Sequence, residues 1–250
     1  MCTLTFIPTE SGYLTGMNRD ELRTRAIGLP PNILERNNVQ FIWPREPSGG
    51  TWIAGNSRGN LLAILNWNAP GSAVQGKKVK SRGSVIPELI AEGDLAATEA
   101  CLKRFRLNGI LPFRLIAVFR NEQTIIEWRW NGACIESLRL PWVSGHWFSS
   151  SVSDVSAETE RGRVCRSARS DHDFGTSEWL RSLHCSHEPA RGPFSICVHR
   201  KDAATVSYTE VHCDESLISM GYLNGSPCAK RVFDHHASIF LSAPSHRSRS

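Results

Sequence analysis

Short runs of alternating apolar and polar residues recur along the whole chain, with stretches at helical spacing grouped between them. The first two runs, CTLTFIP and GYLTGMN, flank the polar Thr9-Glu10-Ser11 and predict a hairpin. The charged residues 21–27 predict a short helix, which Pro30 and Pro31 end. Residues 28–50 carry many Pro, Gly and Asn and read as a long loop. TWIAGNS and NLLAILN flank Arg58-Gly59, where glycine supplies the backbone freedom of a tight turn, and predict a second hairpin. After a loop over residues 68–82, Ser84 is placed to cap a helix over 85–91 and Asp94 one over 95–105. In the latter, Leu95, Thr98, Leu102 and Phe105 recur at helical spacing.

The strand pattern then returns. FRLIAVF and TIIEWRW meet across Asn121-Glu122, and residues 133–150 hold at least one more strand. Residues 152–170 and 175–187 predict helices, the second with Trp179, Leu180 and Leu183 on its apolar face. FSICVHR and ATVSYTEV predict a hairpin across Lys201-Asp202, and strands over 217–223 and 237–241 close the pattern. Hairpins at both ends, helices between them and no dividing linker predict one α+β domain over residues 1–242 built on antiparallel sheets. The polar tail of residues 243–250 is expected to be disordered.

Composition changes this picture little. The chain has 250 residues, 40% apolar and 21% charged, as expected of a globular protein able to bury a sizeable core. No stretch approaches the roughly 20 apolar residues of a membrane span, and Pro8, Thr9, Glu10 and Ser11 cut short any secretory signal. A cytoplasmic location is the default expectation. The net charge of +5 owes much to Lys77, Lys78, Lys80 and Arg82 and to the tail, with no interleaved aromatics, so no nucleic-acid partner is expected. Eight cysteines without a CxxC predict reduced thiols, most of them buried. His184, Cys185 and His187 in HCSH have the look of a metal cluster. A structural site needs four ligands, and none stands at a telling spacing, so HCSH reads as a polar helix end before Pro189 and no metal is expected.

Cysteine at position 2 carries the sharper chemistry. Met1 is removable when the next side chain is small, which leaves thiol and α-amine on one residue. Their ordinary pKa values, about 8.5 and about 7.7–8.0, let the amine act as general base for its own thiol. Arg19 is a candidate to lower the thiol pKa, and Asp20 to hold the α-ammonium or orient the base. The predicted hairpin brings them to Cys2, because neighbouring strands lie about 4.8 Å apart. Asn66, at the end of NLLAILN, is the candidate oxyanion donor. An alternative treats Asn18 as a helix cap with Asp20 and Glu21 in the first turn.

MCTLTFIP, MNRDE, GGTWIAGNSRG, LLAILNW and SRGSVIPELI together resemble the NRDE family, also called the transport and Golgi organisation 2 family, named for its Asn-Arg-Asp-Glu motif. WRWNG, WFSSS, WLRSLHCSHEPARGPFSICVHR and DAATVSYTEV resemble its bacterial branch, so the likeness spans residue 2 to about residue 211. The resemblance implies a four-layer αββα sandwich of two antiparallel sheets, like that of N-terminal nucleophile hydrolases. In related penicillin V acylases and bile salt hydrolases a cysteine matching Cys2 is the nucleophile, assisted by an Arg and an Asp from the second strand. Arg19 and Asp20 match those roles, though they are adjacent here and spaced apart there. The resemblance further implies that Arg200 faces the same site and that Asn66 is an oxyanion-type Asn. Many members carry Asn in a Leu-Ser-Asn segment where this chain reads Phe148-Ser149-Ser150. A lost oxyanion donor costs on the order of 100-fold or more in rate.

Around these residues, Asn18, Trp52, Arg82 and Ser150 are candidates to contact a substrate, with Trp52 read first as core. Gly49 and Gly50 suit a tight turn into the strand at Thr51, and Arg82-Gly83 either caps the following helix or binds a carboxylate. Two functions compete. One is an N-terminal-cysteine amidohydrolase cleaving a linear or cyclic non-peptide C–N amide, with Arg19 and Arg200 binding an anionic group of a small molecule. The other, implied by eukaryotic relatives, is a non-catalytic binding or trafficking protein in secretory-pathway organisation, handling haem or acyl lipid. No resident cofactor is expected, and haem as a ligand would want an axial His or Cys. A third reading is a structural protein with a decayed site, as Ser150 suggests.

Overall fold

The computed structural model describes residues 2–68, 80–230 and 232–242. Most of the loop expected at 68–82, and the tail from 243, lie outside the described residues. In chain order come β1 (Cys2–Pro8), β2 (Tyr13–Leu22), β3 (Leu29–Arg36), β4 (Val39–Arg45), β5 (Ile53–Asn56) and β6 (Leu61–Asn66). Helices α1 (Val85–Leu89) and α2 (Leu95–Arg104) follow, then β7 (Phe113–Phe119), β8 (Thr124–Trp130), β9 (Ile135–Leu140) and β10 (Gly145–Ser149). The chain continues through α3 (Asp154–Ala168), α4 (Ser177–Cys185), β11 (Ala203–Cys213), β12 (Leu217–Asn224) and β13 (His235–Phe240).

The strands form two antiparallel sheets, ordered β10-β1-β2-β11-β12-β13 and β3-β4-β5-β6-β7-β8-β9. One apolar cluster fills the space between them, with Leu4, Phe6, Met17 and Met220 from the first sheet meeting Ile42, Ile53 and Phe113 from the second. Val85, Ile86 and Leu89 of α1 and Leu102 of α2 join it from the outer side of the second sheet. A separate cluster pairs Ile7, Leu14 and Phe148 with Ala157, Cys165, Trp179 and Leu180 of α3 and α4. The order of layers is therefore helix, sheet, sheet, helix. It explains why β1, β2, β6 and β7 are buried almost without interruption: a strand covered on both faces has no polar side to show.

Four expectations fail, each for a physical reason. Residues 28–50 are not loop but hold β3 and β4, in register from Asn32↔Trp43 to Arg36↔Val39. Pro30 and Pro31 are tolerated because β3 is an edge strand with a register shift at its start, so neither missing N–H leaves a carbonyl of a central ladder unmet. The two-residue turn uses Asn37 and Asn38 at φ of 55° and 59°, the left-handed conformation a type I′ turn requires. Residues 21–27 are not a helix, because Ala204 and Ala203 pair with Glu21 and Leu22 and extend β2. FSICVHR is not a strand beyond a single bridge from His199 to Ala204, since β12 takes that edge of β11 from Ser207 onward. It packs instead on the outer face, with Ile196 buried among α3 and α4. HCSH, finally, is not a polar helix end throughout: His184 is buried with its Nε2 3.1 Å from Thr5 Oγ1, while His187 lies past the end of α4.

The His184 contact depends on Gly16. A Cβ at Gly16 would stand 2.9 Å from His184 Nε2 and 3.0 Å from the Tyr208 hydroxyl. Burial holds the His184 imidazole neutral, with its pKa lowered to about 3. Gly16→Ala is therefore expected to cost about 1–3 kcal/mol by overpacking, read as a lower urea midpoint at unchanged slope; an unchanged midpoint would refute the packing.

Candidate functional site

Alternation along β2 sorts the Asn-Arg-Asp-Glu run onto two faces of its sheet. Arg19 and Glu21 point between the sheets, and Asn18 and Asp20 point toward the helical layer. On β1, Cys2 shares the inter-sheet face with Leu4 and Phe6 and pairs directly with Arg19 on one side and Ser149 on the other. A cleft of about 280 Å³ opens at this end of the sandwich. Cys2, Arg19, Trp52, Asn66 and Arg82 all line it, so five of the expected residues converge around one cavity.

Charge in the cleft is mixed. Arg19, Arg25, Lys80 and Arg82 face Glu21 and Glu46. Glu46 Oε1 accepts from Arg19 at 2.8 Å and from Arg25 at 2.7 Å, and the Arg19 guanidinium lies 4.3 Å above the Trp52 ring. Trp52 is thus both core and cleft wall. Arg19 Nη1 is buried and, among the described residues, has no hydrogen-bond acceptor. Arg82 donates through Nε to the Pro112 carbonyl at 2.8 Å, and burial draws its pKa down. Arg82-Gly83 also has a local task. Ser81 caps the short turn Arg82–Ser84, and the Gly83 carbonyl accepts from Thr51 N. A Cβ on Gly50 would come within 3.2 Å of the Gly83 backbone, so these two glycines let the chain segments touch.

Burial pushes the Cys2 thiol above its usual range, although the Asp20 backbone N–H pulls the other way. The expected lowering by Arg19 does not prevail, because desolvation of the buried thiol outweighs it. At neutral pH the group is a thiol.

Asp20 stands behind the sheet and does not line the cleft. Its Oδ1 accepts from Thr205 Oγ1 at 2.6 Å, and its Oδ2 lies 3.8 Å from Arg161 Nη2. Arg161, on α3, is fully buried and was not anticipated from the sequence. It also donates to Thr3 Oγ1 at 2.9 Å, the Pro193 carbonyl at 3.1 Å and the Cys2 carbonyl at 3.4 Å. Its signal was present all along: Ala157, Arg161, Val164 and Cys165 recur at helical spacing, with the arginine inside the apolar stripe. Burial raises the Asp20 pKa and lowers that of Arg161, so desolvation outweighs their mutual attraction on both sides.

Three expected contacts lie elsewhere. Asn18 donates to the His184 and Ile196 carbonyls at 2.9 and 3.0 Å, tying the helical layer to β2. Arg200 binds Asp202 at 2.8 Å and Ser151 at 3.1 Å and is not part of the cleft lining. Ser150 Oγ accepts from Val152 N and its amide donates to Asp154, so it shapes the turn into α3. Ser149 is the serine beside Cys2: it pairs with Cys2 across the ladder, and its buried hydroxyl has no partner among the described residues.

The profile of the family described as transport and Golgi organisation 2 matches residues 1–159. The chain belongs to the transport and Golgi organisation 2 family. A search of curated proteins finds no match. Among solved structures, a C2A mutant of conjugated bile acid hydrolase from Clostridium perfringens superposes with a TM-score of 0.57 at 11% identity, covering 96% of this chain and 92% of that one. Penicillin V acylase from Agrobacterium tumefaciens gives a TM-score of 0.48 at 9% identity, covering 90% of this chain and 86% of that one. The bile acid hydrolase shares the fold with this family member. No helix among the described residues is long and apolar enough to cross a membrane.

Removing Arg161 leaves Asp20 buried without its cation. Arg161→Met is expected to cost about 3–5 kcal/mol near neutral pH. A raised folded pKa means that Asp20 favours folding most below its unfolded value of about 3.9, and that this contribution is lost as pH rises through the folded value. The deficit of Arg161→Met should therefore shrink on acidification toward that range, as measured by denaturant melts at several pH values. A deficit independent of pH would show that the pairing with Asp20 is not its cause.

Proposed function

We propose that this family member is an N-terminal-cysteine amidohydrolase acting on a linear or cyclic non-peptide C–N amide that carries an anionic group. The observation that carries this reading is the convergence of Cys2, Arg19, Asn66 and Arg82 on one cleft at the start of β1. The fold shared with conjugated bile acid hydrolase supports the reaction class.

With Met1 removed, the α-amine of Cys2 adjoins its own thiol. A standing thiolate is disfavoured by burial, so the proton passes to the amine as sulfur attacks the amide carbon. Asn66, and the unpartnered hydroxyl of Ser149, are donors for the oxyanion, which is the largest electrostatic demand of acyl transfer. The ammonium then protonates the leaving nitrogen, and water releases the acid from the thioester. The free Nη1 of Arg19 and the Arg82 guanidinium take the substrate's anion. Asp20, with Arg161 and Thr205, fixes the end of β2 that pairs with Cys2.

The raised thiol pKa also favours a second reading, in which the cleft holds an anionic ligand such as haem or an acyl lipid without turnover. A β-lactone electrophile separates the two. It is expected to acylate Cys2 faster than the other seven cysteines, with Asn66→Ala slowing the reaction about 100-fold. Equal labelling of all thiols, together with a Soret shift on haem titration, would overturn hydrolysis in favour of binding.

A further inference from the structure

Outside the cleft, four side chains of zinc-ligand type meet on the helical side of the first sheet. His187 follows α4, Cys197 and His199 lie on the segment before β11, and Cys228 lies in the turn after β12. One ligand atom from each falls within 4.8 Å of all the others. Cys197 Sγ is 3.5 Å from His199 Nε2, which is 3.2 Å from Cys228 Sγ. A tetrahedral zinc with bonds of about 2.0–2.3 Å sets its ligands about 3.3–3.8 Å apart, so small rotamer changes close the shell. His187 Nε2 is buried without a hydrogen-bond partner among the described residues, and all four groups belong to the borderline N/S set that zinc prefers.

The geometry points to a structural zinc site of His187, Cys197, His199 and Cys228. Two thiolates and two neutral imidazoles balance the dication, and binding releases the two thiol protons to solvent. The Arg191 guanidinium, exposed and 3.4 Å from His199 Nδ1, turns aside as that nitrogen takes the ring proton. A Cys197–Cys228 disulfide is the competing chemistry. It would leave both histidines without a task and would not explain the orphaned His187 nitrogen, and both cysteines are free.

The site has mechanical reach. The Cys197 amide donates to the Ser186 carbonyl, Asn18 holds the Ile196 carbonyl, and the Val198 amide donates to Thr205, which bonds Asp20. Zinc would clamp this segment to the turn at Cys228 and so steady the outer face of β2. His187 stands in HCSH, but its three partners are irregularly spaced along the chain, which is why no complete motif announces the set.

Protein purified under reducing conditions without added metal is expected to carry one zinc per chain by elemental mass spectrometry. Cobalt exchanged into it is expected to show the intense visible bands of tetrahedral coordination and thiolate charge transfer. Cys228→Ser should lose the charge-transfer intensity of one thiolate, and Cys134→Ser, at an exposed cysteine outside the cluster, should change nothing. A folded, metal-free chain that gives only weak octahedral cobalt bands would overturn the site. So would a Cys197–Cys228 disulfide in protein alkylated at lysis.

Discussion

The site hangs on one constraint: β2 is an interior strand buried on both faces. Pairing with β1 and β11 fixes its register, and covering sheet and helices fix what each face may carry. A period of two then leaves no choice for Asn-Arg-Asp-Glu. Arg19 and Glu21 enter the cleft beside Cys2, and Asn18 and Asp20 enter the seam with α3 and α4. The motif serves two places from one strand, one lining the cleft and one in the architecture behind it.

Burying this much charge requires partners, and each is supplied by a different element. Glu46, just after β4, neutralises Arg19, and Arg161 of α3 stands by Asp20. The second pairing costs desolvation, which the opposite shifts of Asp20 and Arg161 record. The consequence for chemistry is direct. Burial disfavours a resting thiolate at Cys2, so any nucleophilic role for it needs a base delivered with the attack.

Most strands were legible because their signals were local: apolar runs meeting across Arg58-Gly59 suffice for β5 and β6, and across the polar Asn121-Glu122 for β7 and β8. What sequence hid was set by neighbours far along the chain. Pro30 and Pro31 argue against a strand until β3 is known to be an edge, although Asn37-Asn38 between two apolar runs was a readable turn signal. FSICVHR has strand composition, but β12 takes the β11 edge it would need from Ser207 onward. Within the site, Cys2, Arg19 and Asn66 were legible from the ends of predicted hairpins. Arg161 showed only as an arginine inside an apolar helical stripe, and Ser149 not at all, because their roles come from contacts spanning more than a hundred residues.

The central claim is that sulfur and primary amine occupy one residue at the mouth of the cleft. The intact mass of the protein purified from its native host tests it most directly. A chain shorter by one methionine, beginning at Cys2 with an unmodified amine, is the predicted result. A retained Met1, or a blocked amine on Cys2, would remove the base from the nucleophile and contradict the account.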